Sequence, residues 1–178
     1  RDASMLTAYG SISALAAATE GWYWDPVQQL THVKTASSVS ARSIVLNGVD
    51  KASYEAEFGT GTGTTTNSNN PGFTGTGFVD GFDASGDSVS IDVNAATAGD
   101  YAIRFRYANA TDTTATRTLY VDGVASGSVS MPNLANWSTW GTASVTKTLT
   151  AGKHTIKLSW DTGNTGAINL DNLTVARP

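Results

Sequence analysis

From Ser88 onward apolar and polar residues alternate: Val89, Ile91 and Val93 stand against Ser88, Ser90, Asp92 and Asn94. The same period of two returns with Ile103, Phe105 and Tyr107 against Arg104, Arg106 and Ala108. Successive side chains on a strand point to opposite faces, so the pattern predicts strands with one buried face. Leu119 and Val121 continue it and stop at Asp122-Gly123, a dipeptide suited to a tight hairpin. Further strands are predicted over 143–149, 154–160 and 167–175, divided by Ala151-Gly152 and a loop over 161–166. In the last of these, Ile168 and Leu170 keep one parity while Leu173 and Val175 keep the other, which predicts a bulge or twist near Asn172. No helical period appears in residues 53–178. Short strands at this spacing predict an all-β fold, a β-sandwich of antiparallel strands of the jelly-roll type.

Residues 1–48 read differently. "GWYWDPVQQLTHVKTA" has a hairpin-like centre at Asp25-Pro26, with Leu30, His32 and Lys34 alternating with Thr31 and Val33 after it. "ARSIVLNG" predicts a short strand ending at Asn47-Gly48, and "SMLTAYGSISALAAATE" fits strand or helix. Two or three strands do not close a core alone. Residues 1–50 are therefore expected to be the C-terminal remnant of, or linker from, a preceding β-domain, and 51–178 the sandwich, with the boundary near 49–53.

Composition narrows the chemistry. Eleven basic and fifteen acidic residues give a net charge of −4, with no Lys/Arg run able to follow a phosphate backbone, so nucleic acid is not an expected partner. No stretch approaches the roughly 18 apolar residues that span a bilayer, and no membrane partner is expected. Cysteine is absent, which removes disulfides, thiolate metal sites and thiol nucleophiles. His32 and His154, far apart and each in a strand-like segment, give a zinc site or a Ser-His-Asp triad little material and read as solvated or hydrogen-bonded strand residues. Abundant Gly, Thr, Ser, Asn and Ala with sparse Lys and Glu fit a secreted β-protein, its export signal lying upstream or removed, and a monomer is expected.

Glu55 and Glu57 stand out in a charge-poor stretch. On one strand they would share a face about 6.6 Å apart, a spacing within the roughly 5–9.5 Å of glycosidase carboxylates. Catalytic carboxylates must flank a scissile bond from opposing walls, however, and neighbours on one strand occupy the same wall. Like charges this close raise each other's pKa unless a cation intervenes. Calcium, which takes oxygen ligands, answers both difficulties; a solvated edge and a catalytic pair remain as alternatives.

The segments "YEAE" at 54–57, "GFTGTGFVDGF" at 72–82, "AGDYAIRFRYANA" at 98–110, "TLYVDG" at 118–123, "WSTWGTASVTKTLTAGKHTIKLSW" at 137–160 and "GAINLDNLTV" at 166–175 follow one another as in a family 35 carbohydrate-binding module, a pattern the family 6 modules largely share. The resemblance covers about residues 53–177. It implies a β-sandwich that carries a structural calcium and attaches a secreted glycoside-active enzyme to a polysaccharide or oligosaccharide. Carried over by motif, Glu55, Glu57 and Asp171 would be calcium ligands, completed by a backbone carbonyl around 74–77. Tyr107 and Trp137 would form aromatic walls for a pyranose, and Asn169 and Asn109 would hydrogen-bond its hydroxyls.

Each of these residues also has a plainer reading. Tyr107 is in register with Ile103 and Phe105 and can be the last core residue of its strand, and Asn169 can face solvent. Trp137 follows the loop-like Pro132-Asn133-Leu134-Ala135-Asn136, where packing has less need of it, while Trp140 and Trp160 read as core and Trp22 and Trp24 as packing residues of the remnant. Some modules of the family take uronic acids with basic groups near the sugar; the 111–117 loop contains Asp112 and Arg117, and the sequence does not place either at the site. "GWYWDPVQQLTHVK" resembles the closing strands of the β-domain that follows catalytic domains in family 31 α-glucosidase-like enzymes, which implies an α-glucan-active parent. The principal expectation is a non-catalytic sugar-binding module. The alternatives are a hydrolase fragment using Glu55 and Glu57, and a spacer sandwich without ligand.

Overall fold

The computed structural model describes residues 7–25, 30–35 and 51–178. The chain divides into two units, residues 1–47 and 48–178.

In the first unit, the segment that fits either strand or helix contains a short helix, α1 (Ile12–Ala17). Ser11 starts it, its Oγ accepting the Ala14 N–H at 3.1 Å, and alanine-rich ISALAA favours the turn. Strands β1 (Gly21–Asp25) and β2 (Leu30–Lys34) pair antiparallel, as the Asp25-Pro26 centre predicts, with Tyr23 opposite His32 and their rings stacked at 6.1 Å. The Lys34 ammonium donates to the Ala16 carbonyl at 2.6 Å and ties strand to helix. The strand predicted in 41–48 lies outside the described residues.

The second unit is a sandwich of two antiparallel sheets. Its strands are β3 (Lys51–Glu55), β4 (Thr60–Thr62), β5 (Thr65–Asn67), β6 (Phe78–Phe82), β7 (Ser88–Ala95), β8 (Gly99–Ala108), β9 (Ala115–Val121), β10 (Val124–Met131), β11 (Gly141–Leu149), β12 (Gly152–Ser159) and β13 (Ile168–Ala176). One sheet runs β10-β9-β12-β7-β4; the other runs β11-β8-β13-β6-β5, with β3 paired to the C-terminal half of β13. The alternation read from the sequence fills the space between them: Ile91, Val93, Leu119, Ile156 and Leu158 face Ile103, Phe105, Leu173 and Val175, all buried. Asp122 and Gly123 both adopt positive φ, 52° and 80°, the conformation of a two-residue hairpin turn between β9 and β10.

The parity conflict in the last strand resolves as a bulge. Along β8 the partners pass from Leu170↔Tyr107 to Asn172↔Arg106, leaving Asp171 as the extra residue. A second irregularity lies where β13 meets β6: Ile168 pairs with Phe82 and Leu170 with Val79, and Gly81 within that step has φ of 69°. The expectation of a shared strand for the two glutamates is corrected. β3 ends at Glu55, and Glu57 sits in a 3₁₀ turn (Ala56–Phe58), because the chain turns away as soon as its pairing with β13 stops at Asn172.

Candidate functional site

Two polar clusters stand out in the sandwich, and each is built around a bulge. The first gathers the acidic residues. Glu55 at the end of β3, Glu57 in the turn and Asp171 in the β13 bulge all reach the 72–77 loop. The Thr74 hydroxyl lies 2.8 Å from Glu55 Oε2, and its backbone N–H donates to Asp171 Oδ1 at 2.8 Å. Glu57 Oε1 accepts the N–H groups of Thr76 and Gly77 at 2.8 and 3.2 Å, while its Oε2 is buried without a hydrogen bond. Gly75 has φ of 66°, and a Cβ there would stand 2.5 Å from Glu57 Oε1, so the close approach of loop to carboxylate depends on glycine. Arg106 pairs with Asp171 and donates to the Gly72 carbonyl.

Burial pushes the Glu55 carboxyl above its ordinary value, and Glu57 and Asp171 push it further, against the Thr74 hydrogen bond and the Arg106 charge. Three carboxylates thus face one guanidinium. Among the described residues no three acidic or imidazole groups stand as a ready-made metal ligand set; hydroxyls and amides of the loop occupy most of the carboxylate oxygens. The carboxylate oxygens of Glu55, Glu57 and Asp171 are nevertheless donors that fit a hard cation, and Glu57 Oε2 is orphaned in a buried position.

The second cluster is a cavity of about 320 Å³ at the end of the sheet where β6 finishes and β13 begins. Trp137 and Asn169 line it together, as do Asn69, Asn70, Asp80 and Asp83, and no basic side chain does. Asn169 is only 4% exposed, yet its side-chain amide has no hydrogen-bond partner among the described residues. Its amide atoms are therefore open to the cavity rather than sealed in the core. Asp80 is partly occupied by Asn67 Nδ2 at 2.9 Å, whereas the exposed Asp83 carboxylate accepts no hydrogen bond among the described residues. Trp137, half-buried, sits on the loop between β10 and β11, in a turn where the Asn136 side chain accepts the Ser138 N–H at 2.9 Å.

Two residues expected to touch a sugar are placed elsewhere. Tyr107 is 2% exposed and packs in the core, so it has no ring face to offer; its hydroxyl donates to the Pro132 carbonyl at 3.0 Å. Asn109 is wholly buried: its Nδ2 donates to the Thr113 and Met131 carbonyls at 2.8 and 2.9 Å, and its Oδ1 accepts from the Thr111 N–H and hydroxyl. Both corrections share a cause. The strand register continues inward to the end of β8, and the side chains there hold the base of the loop that carries Trp137. The backbone of Asn109 joins in, its carbonyl accepting the Leu134 N–H at 2.7 Å.

Arg117 is not at the surface either. Its exposure is 0%, with the guanidinium between the rings of Phe82 and Trp160 at 4.4 and 4.3 Å. It donates to the carbonyls of Thr116, Thr165 and Phe82 at 2.6, 3.1 and 2.6 Å, and so bridges the strand and the loop flanking the cavity. Desolvation lowers its pKa to about 10, against the opposing fields of Asp87 and Asp83, and it stays charged at neutral pH. Trp140, expected in the core, is half-buried: its ring meets Phe78 edge-on and its Nε1 donates to the Pro71 carbonyl at 3.0 Å. The sequence reading missed Asp80 and Asp83, although Asp80-Gly81 inside an apolar run is the mark of a strand bulge.

Residues 52–177 match the model of the family described as carbohydrate binding module (family 35). The chain belongs to carbohydrate-binding module family 35. It is 44% identical over 172 residues to the isomaltosyltransferase of Sporosarcina globispora, covering 97% of this chain and 16% of that protein. The cycloalternan-forming enzyme from Listeria monocytogenes, solved with a pentasaccharide substrate, is similar at 41% identity with a TM-score of 0.68, over 97% of this chain and 16% of that one. A family 35 module from Clostridium thermocellum is similar at 28% identity with a TM-score of 0.66, over 70% of this chain and 96% of that one. The chain therefore spans about a sixth of the first two proteins, which are glycoside-active, while the third corresponds to the sandwich unit. This family 35 module is a carbohydrate-binding domain of β-sandwich fold. No helix among its described residues is long and apolar enough to cross a membrane.

Proposed function

We propose that the module binds a neutral saccharide in the cavity walled by Trp137 and Asn169 and has no catalytic role. The observation that carries this reading is the joint placement of Trp137 and Asn169 on one cavity, where the Asn169 amide, bonded to no described residue, is open to a ligand hydroxyl. Trp137 supplies the apolar surface for the C–H face of a pyranose. Asp80 and Asp83 accept from sugar hydroxyls, and two carboxylates with no lining cation disfavour an anionic ring at this site. The names of the similar enzymes favour an α-glucan of the isomalto type. A secreted, monomeric module that holds an α-glucan-active parent enzyme to its substrate follows from that choice, with residues 1–50 belonging to the preceding β-domain.

Calcium completes the proposal at the acidic cluster, with Glu55, Glu57 and Asp171 as ligands and a backbone carbonyl of 74–77 beside them. There it would neutralise like charges and tie β3 to β13, a structural role. A catalytic role for Glu55 and Glu57 is disfavoured, because both carboxylates bond to the same loop instead of flanking a cleft from opposing walls.

The test is isothermal titration with isomalto-oligosaccharides and dextran, using the chain and its Trp137→Ala and Asn169→Ala variants. Loss of about tenfold or more in affinity for each variant, with unchanged melting, is expected. Absence of binding to every α-glucan, or binding that neither substitution alters, would overturn the assignment.

A further inference from the structure

We propose that Trp140 is a positioning residue for the Trp137 cavity: it brackets the two loops that carry Asn69, Asn70 and Trp137 and holds them in one arrangement. Its effect on binding rests on the saccharide reading of that cavity, whereas the bracket itself stands on contacts within the protein. The loop between β5 and β6 supplies Asn69 and Asn70 to the cavity wall, and the loop between β10 and β11 supplies Trp137. The two loops meet at Pro71-Gly72. The Trp140 indole Nε1 donates to the Pro71 carbonyl at 3.0 Å. A Cβ on Gly72 would stand 3.2 Å from the Trp140 ring and 3.8 Å from the Ser138 carbonyl oxygen, and Gly72 has φ of 95°, so glycine is what admits this approach.

Each loop is short between its anchors. Asn67 fixes the start of the first: its Oδ1 accepts the N–H groups of Ser68 and Asn69 at 2.7 and 3.2 Å, and its Nδ2 reaches Asp80 on β6. Pro71, whose ring fixes its own φ, restricts the backbone of Asn70 before it. Beyond it, Arg106 donates to the Gly72 carbonyl at 2.8 Å while its guanidinium lies 5.2 Å from the centre of the Trp140 ring. In the second loop the Asn136 side chain accepts from the Ser138 N–H and the Thr139 hydroxyl, and the Asn136 carbonyl accepts the Thr139 N–H at 3.1 Å. Trp137 thus sits in a closed turn that leads straight to Trp140. The Trp140 ring is fixed in its turn by Phe78, wholly buried and met edge-on at 5.3 Å.

This arrangement accounts for a tryptophan that reads as core and is only half-buried: its ring packs on Phe78 while its polar edge serves the neighbouring loop. The bond to Pro71 lies at the surface, so water can replace it and its loss costs the fold little. Its loss costs the cavity more. The side chains of Asn69 and Asn70 hydrogen-bond to no described residue, so their amides are aimed only by the backbone that carries them. Backbone freed at these positions has to be ordered again as a ligand docks, which subtracts from affinity.

The experiment compares the chain with its Trp140→Phe and Gly72→Ala variants. The first keeps a ring between Arg106 and Phe78 and removes the donor; the second presses a methyl group against the indole. Heteronuclear Overhauser values of the backbone amides are read first, because a changed ring current moves chemical shifts but leaves these values alone. Both variants should lower them at residues 69, 70, 137 and 138 and leave them unchanged at 89–93 in the core, and Trp140→Phe should melt close to the parent. Isothermal titration with isomalto-oligosaccharides should then show affinity reduced by roughly tenfold in both. Unchanged values at 69 and 70 in Trp140→Phe would overturn the bracket. Lowered values with parental affinity, where Trp137→Ala still abolishes binding, would overturn the positioning role. Lowered values in a protein whose parent binds no α-glucan would uphold the bracket and overturn the saccharide reading instead.

Discussion

Replacing Arg117 by Met removes a buried cation while keeping most of its volume, and the consequence can be worked out from its contacts. Three backbone carbonyls, of Thr116, Thr165 and Phe82, lose their donor, and they cannot be mutated away with it. A buried acceptor left without a partner costs about 1–3 kcal/mol. The rings of Phe82 and Trp160 also lose a cation between them, at about 0.5–2 kcal/mol each. Against these losses stands relief of the cost of burying a charge whose Nε has no hydrogen-bond partner, a cost visible in the fall of its pKa to about 10. The net expected loss is about 3–5 kcal/mol, a large part of the 5–15 kcal/mol by which such domains are stable. With a urea slope of about 2 kcal/mol/M, the denaturation midpoint should fall by roughly 1.5–2.5 M. Arg117→Lys keeps the charge but reaches fewer carbonyls and should fall by less. A midpoint for Arg117→Met equal to or above that of the parent would refute the reasoning, and would mean that the guanidinium merely fills space between two rings.

Other outcomes follow from the same geometry. His154 donates from Nδ1 to Asp122 at 2.7 Å and from Nε2 to the Thr150 carbonyl at 2.9 Å; the Asp122 hydrogen bond raises the His154 pKa, and the same bond lowers that of Asp122. The His154 contribution to stability is therefore full below its ordinary value of 6.5 and lost as pH rises through its higher folded value. The Asp122 contribution is full above 3.8 and lost as pH falls through its lower folded value. Melting temperature plotted against pH should show an alkaline-side decline that His154→Gln flattens. Gly75→Ala should destabilise the unit by about 1–2 kcal/mol from its left-handed backbone alone, more where Glu57 cannot move, as read by urea denaturation. Calcium a hundredfold above its Kd should stabilise the chain by about 2.7 kcal/mol relative to chelator; an identical melting curve in both conditions, or an undiminished gain in Glu57→Gln, would count against the acidic cluster as its site.

Much of the sandwich was legible because its central strands are buried on one face only. In β7, β8 and β12 the alternation of Val89, Ile103 or Ile156 with polar neighbours is enforced by the core, and the parity break between Leu170 and Leu173 marked the Asp171 bulge. Strands β4, β5 and β10 escaped notice because TGT, TTN and VASGSVSM bury too little apolar surface to show a period. The site was less legible for a related reason. Period-two reading places Tyr107 inward and says nothing of where a following loop will lie, so a core residue that supports the Trp137 loop reads the same as one that lines it. Asp83 and Asn70 enter the cavity through turns, where sequence spacing carries no information about facing. The burial of Arg117 was not legible because an arginine is ordinarily exposed, and the carbonyls of Thr116, Thr165 and Phe82 that receive it come together only in the fold.

The pairing of Lys51 with Ala176 at one end of the β3–β13 ladder, and of Glu55 with Asn172 at the other, also has a mechanical side. The sandwich is entered and left at adjacent points on one edge, so tension between its flanking segments opens that ladder from the Lys51 end like a zipper, one hydrogen-bonded step at a time. The acidic cluster lies at the far end of the ladder, beyond the last pair to be loaded. A cation held there would act as the stop that keeps peeling of the first strand from spreading into the core, which suits a domain whose neighbours move relative to a ligand it is holding.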